Sequence, residues 1–208
     1  MPKFKVRNLW PTPVYEAEIP VQQKWKSIIT NFEYERTPIG NSDITKDRYI
    51  FENHTELNDL KEKIKNHCEI FVRKYLFVKD NVEFYLQNSW VNIHNPNDES
   101  QVHYHANSLI SGVYYPILPD NSGNITFHKT HSYVNLFHPC IKLEYEEHDN
   151  INCDFCTIDL KEGSIVLFPS HLEHSVEKNI SNEKRYSLAF NFFVRGRLGK
   201  KEYILELN

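Results

Sequence analysis

From residue 82 onward the chain reads in twos. The segments VEFYLQNSWVNIH (82–94), LISGVYYP (109–116), GNITFH (123–128), FCTIDL (155–160), SIVLFP (164–169) and RYSLAFNFFV (185–194) alternate or run apolar, with Gly, Pro, Asn and Asp turns between them. In a strand, successive side chains point to opposite faces, so a period of two specifies strands with distinct sides. No helical period separates these segments, which favours an antiparallel sandwich or jelly-roll barrel over a parallel sheet.

The first part of the chain has a different rhythm. Pro11, Pro13 and Pro20 interrupt a loosely alternating stretch, which suits an edge strand rather than a helix. Residues 20–34 predict a short helix, and TPIGNSDITKD (37–47) lacks periodicity and predicts a loop. A stronger helix follows, with Thr55 as N-cap and Leu57, Leu60, Ile64, Cys68 and Phe71 on one apolar face. The expectation is a mainly β, α+β chain. One domain covers residues 1–208, with a helical part about 20–78 and a β core about 81–206 folded as a double-stranded β-helix.

Charge narrows the partners. The 24 basic and 28 acidic residues are interspersed and leave a net charge of −4, so no basic stripe meets a phosphate backbone and no nucleic acid is expected. The start, MPKFKVRNLWPTP, has no apolar secretory core, and no run of residues is long and apolar enough for a membrane span. A cytoplasmic protein is therefore expected, with its four cysteines as thiols and a homodimer as one assembly to test.

Within QVHYHANSLISGVYYP (101–116), His103 and His105 stand two apart, so on one strand their imidazoles would converge on a point inside a barrel. Two of eleven histidines can fall so by chance, and the pair alone is half a site. The second half follows "KEGSIVLFPSHLEHSVEKN", where a strand runs into His171 and His174; His174 is the preferred ligand. Three such ligands form a facial triad with open positions, as non-haem Fe(II) oxygenases require. Eleven residues later, alternation puts Arg185, Ser187, Ala189 and Asn191 on one face, and Tyr186, Leu188, Phe190 and Phe192 on the other. The polar face could be a solvated one. If it points inward, Arg185 offers its planar fork to a carboxylate and Ser187 adds a hydroxyl donor.

These residues resemble the Fe(II)- and 2-oxoglutarate-dependent dioxygenases, which carry an H-x-D…H triad and a basic residue some ten positions after the last histidine. The likeness is closest to an uncharacterised, prolyl-hydroxylase-like branch. Its signatures appear here as LWPTPVY (9–15), Trp90-x-Asn92, HYHANSLISGVYY (103–115) and LFPSHLEH (167–174). The resemblance implies a jelly roll, Fe(II) held by His103, His105 and His174, and 2-oxoglutarate anchored by Arg185 and Ser187. Tyr115, Trp90 and Asn92 would line its pocket, although such aromatics more often serve the core. It implies oxidative decarboxylation to succinate and CO2, with O2 and a small-molecule or peptide substrate and hydroxylation as the default outcome.

The chain departs from the branch at Ala106, where a proline is usual, and from the superfamily at His105, which stands in the carboxylate's place. Asn107 and Asp98 are alternative third donors. Two competing functions remain at this stage: a three-histidine, cupin-type thiol dioxygenase, which needs no Arg185, and a non-catalytic jelly-roll binding module. Cys153-x-x-Cys156, with Cys140 and His138 or His148, could hold zinc but lacks a second C-x-x-C. The histidines of residues 128–150 are expected to be solvated.

Overall fold

The computed structural model describes all residues except 1, 2, 4, 8, 10, 38–40, 130–142, 150 and 208. Among the described residues twelve strands are formed: β1 (Tyr15–Glu18), β2 (Tyr34–Arg36), β3 (Asp43–Thr45), β4 (Val82–His94), β5 (Ser100–His103), β6 (Ile110–Ile117), β7 (Ile125–His128), β8 (Phe155–Ile158), β9 (Ser164–Pro169), β10 (His174–Val176), β11 (Arg185–Leu198) and β12 (Leu205–Leu207). The helices are α1 (Gln23–Thr30), α2 (Ile50–Asn53) and α3 (Asn58–Ile70).

The strands make two antiparallel sheets. The larger has the order β1-β9-β6-β11-β4-β3-β2, with β12 added to the far end of β11; the smaller has the order β5-β10-β7-β8. This is the expected double-stranded β-helix with N-terminal helices. As the prolines foretold, β1 lies at a sheet edge. No helix among the described residues is long and apolar enough to cross a membrane.

Alternation on β11 divides the interior in two. Leu188, Phe190 and Phe192 pack outward with Val91 and Tyr114 against Trp25, Ile29, Leu60, Ile64 and Phe71 of the helical layer. Ala189 points the other way, into a second cluster with Val113, Tyr115, Phe127, Val166 and Phe168 between the sheets. β6 is buried from Ile110 to Pro116 because it has helices on one face and the barrel interior on the other. Gly112 sits where that packing is tightest. A Cβ there would lie 2.4 Å from Phe190 Cε2 and 2.5 Å from Leu167 Cδ2.

Three local expectations are corrected. The helix over 20–34 ends at Thr30, and Tyr34 opens β2. The supposed loop 37–47 contains β3, which has no periodicity of its own but is held by β2 and by β4, with Asp43 opposite Ile93 and Ile44 opposite Asn92. Thr55 is not a cap. It begins a 3-10 turn, Thr55–Leu57, that leads into α3 without a side-chain capping bond, and α3 continues through a π-helical turn, Phe71–Tyr75. All five residues of the apolar face are nonetheless buried.

Candidate active site

Between the sheets lies a cavity of about 380 Å³, lined among others by Trp90, Asn92, His94, His103, His105, Tyr115, His174, Arg185 and Ser187. All eight side chains singled out in the sequence therefore line one space. One ring nitrogen from each of His103, His105 and His174 lies within 4.8 Å of the other two. No other group of three metal-ligating side chains occurs among the described residues.

His103 and His174 face each other in register across β5 and β10. His105 does not share a strand with His103, as the two-residue spacing suggested, because β5 ends at His103. The chain turns instead, and His105 is brought back by its backbone N–H, which donates to Ser170 O at 2.9 Å. Its ring stacks on His103, with centroids 5.6 Å apart, and lies 5.5 Å from the ring of Trp90.

Each imidazole has its Nδ1 occupied. The partners are Gln101 O at 2.8 Å for His103, Leu172 O at 3.0 Å for His174 and Asn191 Oδ1 at 2.7 Å for His105. Nδ1 therefore carries the proton, and each Nε2 is left with a lone pair for an ion. Burial, with the neighbouring His103, pulls His174 down to about 3; burial also lowers His105. Neutral rings are the form a metal needs.

The alternatives for these positions are placed elsewhere. His171 is exposed on a turn, and Asn107 is exposed with φ of 54°. Asp98 is committed to Arg36, whose Nη1 and Nη2 donate to its two oxygens at 2.6 Å each. Burial alone would raise the Asp98 carboxyl, but those bonds and two from Asn95 hold it below the usual range. Cys153 and Cys156 are free thiols, while Cys140, His131 and His138 lie outside the described residues.

Arg185 lines the same cavity and is 1% exposed. Its Nη1 donates to Gly123 O at 2.8 Å and Ser122 O at 3.3 Å, and its Nη2 donates to His94 Nδ1 at 2.9 Å. Nε is buried without a partner, and no described carboxylate lies within ion-pair distance. Burial brings Arg185 down to about 10 and pushes Tyr115 up to about 12, so the first is a cation and the second a neutral phenol near neutral pH.

His94 was missed by sequence reading. The signal was present: Trp90, Asn92 and His94 occupy alternate positions of one strand, and the first two had already been placed on the cavity side. His94 accepts from Arg185, so its Nε2 carries the proton and meets Ser100 Oγ at 2.9 Å. Burial, then the Arg185 charge, hold it at about 2.

One cavity of this jelly roll thus gathers three converging imidazoles and a buried arginine that has no ion-pair partner among the described residues. A family model described as "Putative 2OG-Fe(II) oxygenase" matches residues 88–191, half of the chain, and the protein belongs to that family. It is a 2OG-Fe(II) oxygenase, whose cofactors are Fe(II) and 2-oxoglutarate. That membership removes the binding-module and thiol-dioxygenase alternatives.

Solved structures agree on the fold. The epimerase SnoN from nogalamycin biosynthesis is 11% identical, with a TM-score of 0.62 over 89% of this chain and 79% of that one. A Pseudomonas putida prolyl-4-hydroxylase is 13% identical, with a TM-score of 0.57 over 86% and 92%. HygX from Streptomyces hygroscopicus, with nickel and 2-oxoglutarate bound, is 10% identical, with a TM-score of 0.58 over 87% and 82%. No curated protein matches the chain significantly.

Proposed function

We propose that this oxygenase hydroxylates an amino acid, a peptidyl residue or a small metabolite, with His103, His105 and His174 as its iron ligands. Arg185 and Ser187 take the distal carboxylate of 2-oxoglutarate, and Tyr115, Asn92 and Trp90 shape the space around it. The observation that carries this reading is the buried Arg185 guanidinium, which has no carboxylate partner among the described residues and shares a cavity with the imidazoles. A cation so desolvated calls for an anionic ligand. Three imidazole ligands bring no negative charge, so both charges of a divalent iron would be left uncompensated, and a dianion matches that demand.

Iron with 2-oxoglutarate supplies the oxidising chemistry, in which the keto acid is decarboxylated to succinate. The chain's own residues do the rest. Arg185 is held in place by two backbone carbonyls and a neutral imidazole, so it presents its remaining donors without reorganising. Phe168 and Phe127 pack beside the His174 ring and exclude water from that flank of the triad. His103 is exposed, so the substrate approaches from the β5 side.

Calorimetry on the Mn(II)-loaded protein tests the assignment. Arg185→Ala should retain metal and lose 2-oxoglutarate by ~2–5 kcal/mol, roughly 30-fold to several-thousand-fold. Arg185→Lys, which keeps the charge without the fork, should fall between. Equal 2-oxoglutarate affinity in Arg185→Ala and the parent overturns the cosubstrate site. Succinate release against a panel of amino acids and peptides, with the product analysed for one added oxygen atom, identifies the substrate and separates hydroxylation from other outcomes.

A further inference from the structure

We propose that Asn191 is the positioning residue that makes His105 a third metal ligand. The inference rests on the ligand set proposed above. It explains how an imidazole can stand where the superfamily places a carboxylate.

The three rings are not held alike. His103 and His174 each donate from Nδ1 to the backbone carbonyl two residues upstream, at Gln101 and Leu172, so their orientation comes with the local chain. The ring of His105 has no such carbonyl. It is oriented by side chains from other strands: Asn191 Oδ1 at 2.7 Å and Ser111 Oγ at 2.9 Å. Outer partners of this kind fix the tautomer and the direction of a ligating histidine.

Asn191 is itself fixed. Its Nδ2 donates to Asn88 Oδ1 at 2.9 Å, which turns its oxygen toward His105. That oxygen also accepts from Ser111 Oγ at 2.7 Å. The ladder register explains the alignment: Asn191 is opposite Asn88 on one side and Ser111 on the other, so the three form one polar rung across β4, β11 and β6. Immediately after the rung, Gln87 is an extra residue between Asn88, opposite Asn191, and Leu86, opposite Phe192. Such bulges re-aim side chains beside active sites. Ser111 continues to Ser170 Oγ at 2.8 Å, and Ser170 to Ser108 Oγ at 2.8 Å, so the network closes beneath the turn that carries His105. Asn191 is 5% exposed, and every hydrogen-bond partner of this network is neutral.

The test is a double-mutant cycle read by Mn(II) affinity and by the visible spectrum of the Co(II)-loaded protein, with thermal unfolding as the control for folding. Asn191→Leu should weaken Mn(II) about 10–100-fold and alter the Co(II) bands. Asn191→Asp, which keeps an oxygen toward His105, should restore affinity to within a few-fold of the parent. In a His105→Ala background Asn191→Leu should cause no further loss, because its effect passes through the missing ring. The proposal is overturned if Asn191→Leu binds Mn(II) like the parent while His105→Ala does not, or if the two losses multiply. If His105→Ala itself binds like the parent, the ligand set is wrong and the role of Asn191 falls with it. Should Asn191→Leu fail to fold, Ser111→Ala takes its place in the cycle, with the same non-additivity expected.

Discussion

Arg185 Nη2 donates to His94 Nδ1 at 2.9 Å, so the cation of the cavity is oriented by a neutral base. A carboxylate in the same place would hold the guanidinium equally well but would compete with an incoming dianion. His94→Asp should therefore weaken 2-oxoglutarate by at least about tenfold, roughly 1.4 kcal/mol. His94→Gln, which can still accept, should lose less. Titration of 2-oxoglutarate into the Mn(II)-loaded variants measures both. If the Asp and Gln variants bind alike, the neutrality of His94 has no part in cosubstrate binding.

The imidazole triad makes a prediction about metal alone. His103→Ala and His174→Ala should each abolish most uptake of one Mn(II) or Co(II) per chain, while His105→Asp should retain it. The carboxylate would cancel one positive charge of the centre, so 2-oxoglutarate should then add less to metal affinity than it does in the parent. Equilibrium dialysis with and without 2-oxoglutarate reads both effects. Parent-like uptake in both alanine variants would remove the triad.

Acid should destabilise the metal-free fold in a defined window. His94 and His174 titrate at their ordinary 6.5 when unfolded but stay neutral in the fold down to about 2 and about 3, because burial penalises their charged forms. Below pH 6.5 the unfolded chain binds protons that the fold refuses, so stability present above that pH is lost as the pH falls. Each ring contributes about 1.4 kcal/mol per pH unit, or about 4 kcal/mol for the pair at pH 5. Urea midpoints at pH 7 and pH 5 test this, and His94→Gln should flatten the dependence. An unchanged midpoint would contradict it.

Gly112→Ala should destabilise without touching the site. The added methyl meets Phe190 and Leu167 on the helix-facing side of β6. Overpacking of this kind costs ~1–3 kcal/mol, and a chain of this size loses about 2–4 °C of melting temperature per kcal/mol. Thermal unfolding should show that fall while Mn(II) affinity stays at the parent value. Phe190→Leu in the same background should recover part of the loss by shortening the opposing side chain.

The β architecture was legible because its strands carry their own pattern: VEFYLQNSWVNIH is β4 from first residue to last, and the alternation of RYSLAFNFFV sorts core from cavity. What stayed hidden depends on partners far away in the chain. β3 has three residues and exists through pairing with its neighbours, which no local period announces. The turn that returns His105 to the cavity is fixed by Ser170, some 65 residues on, so the two-residue spacing suggested a shared strand that the chain does not form. Asn191 was placed on the correct face, but its link to His105 spans 86 positions and appears only once three strands are in register.

β5 is four residues long, pairs with β10 alone among the described residues, and ends on His103. A short terminal ribbon of a small sheet frays readily, and this one supplies the most exposed of the three imidazoles. With His103 and His174 as ligands, a bound ion would clasp the ribbon to its neighbour, and the amides of residues 100–103 would exchange with deuterium more slowly in the loaded protein. Metal-starved protein would then differ from the loaded form first in the wall of its own doorway, so loss of iron would loosen the substrate's approach as well as remove the oxidant.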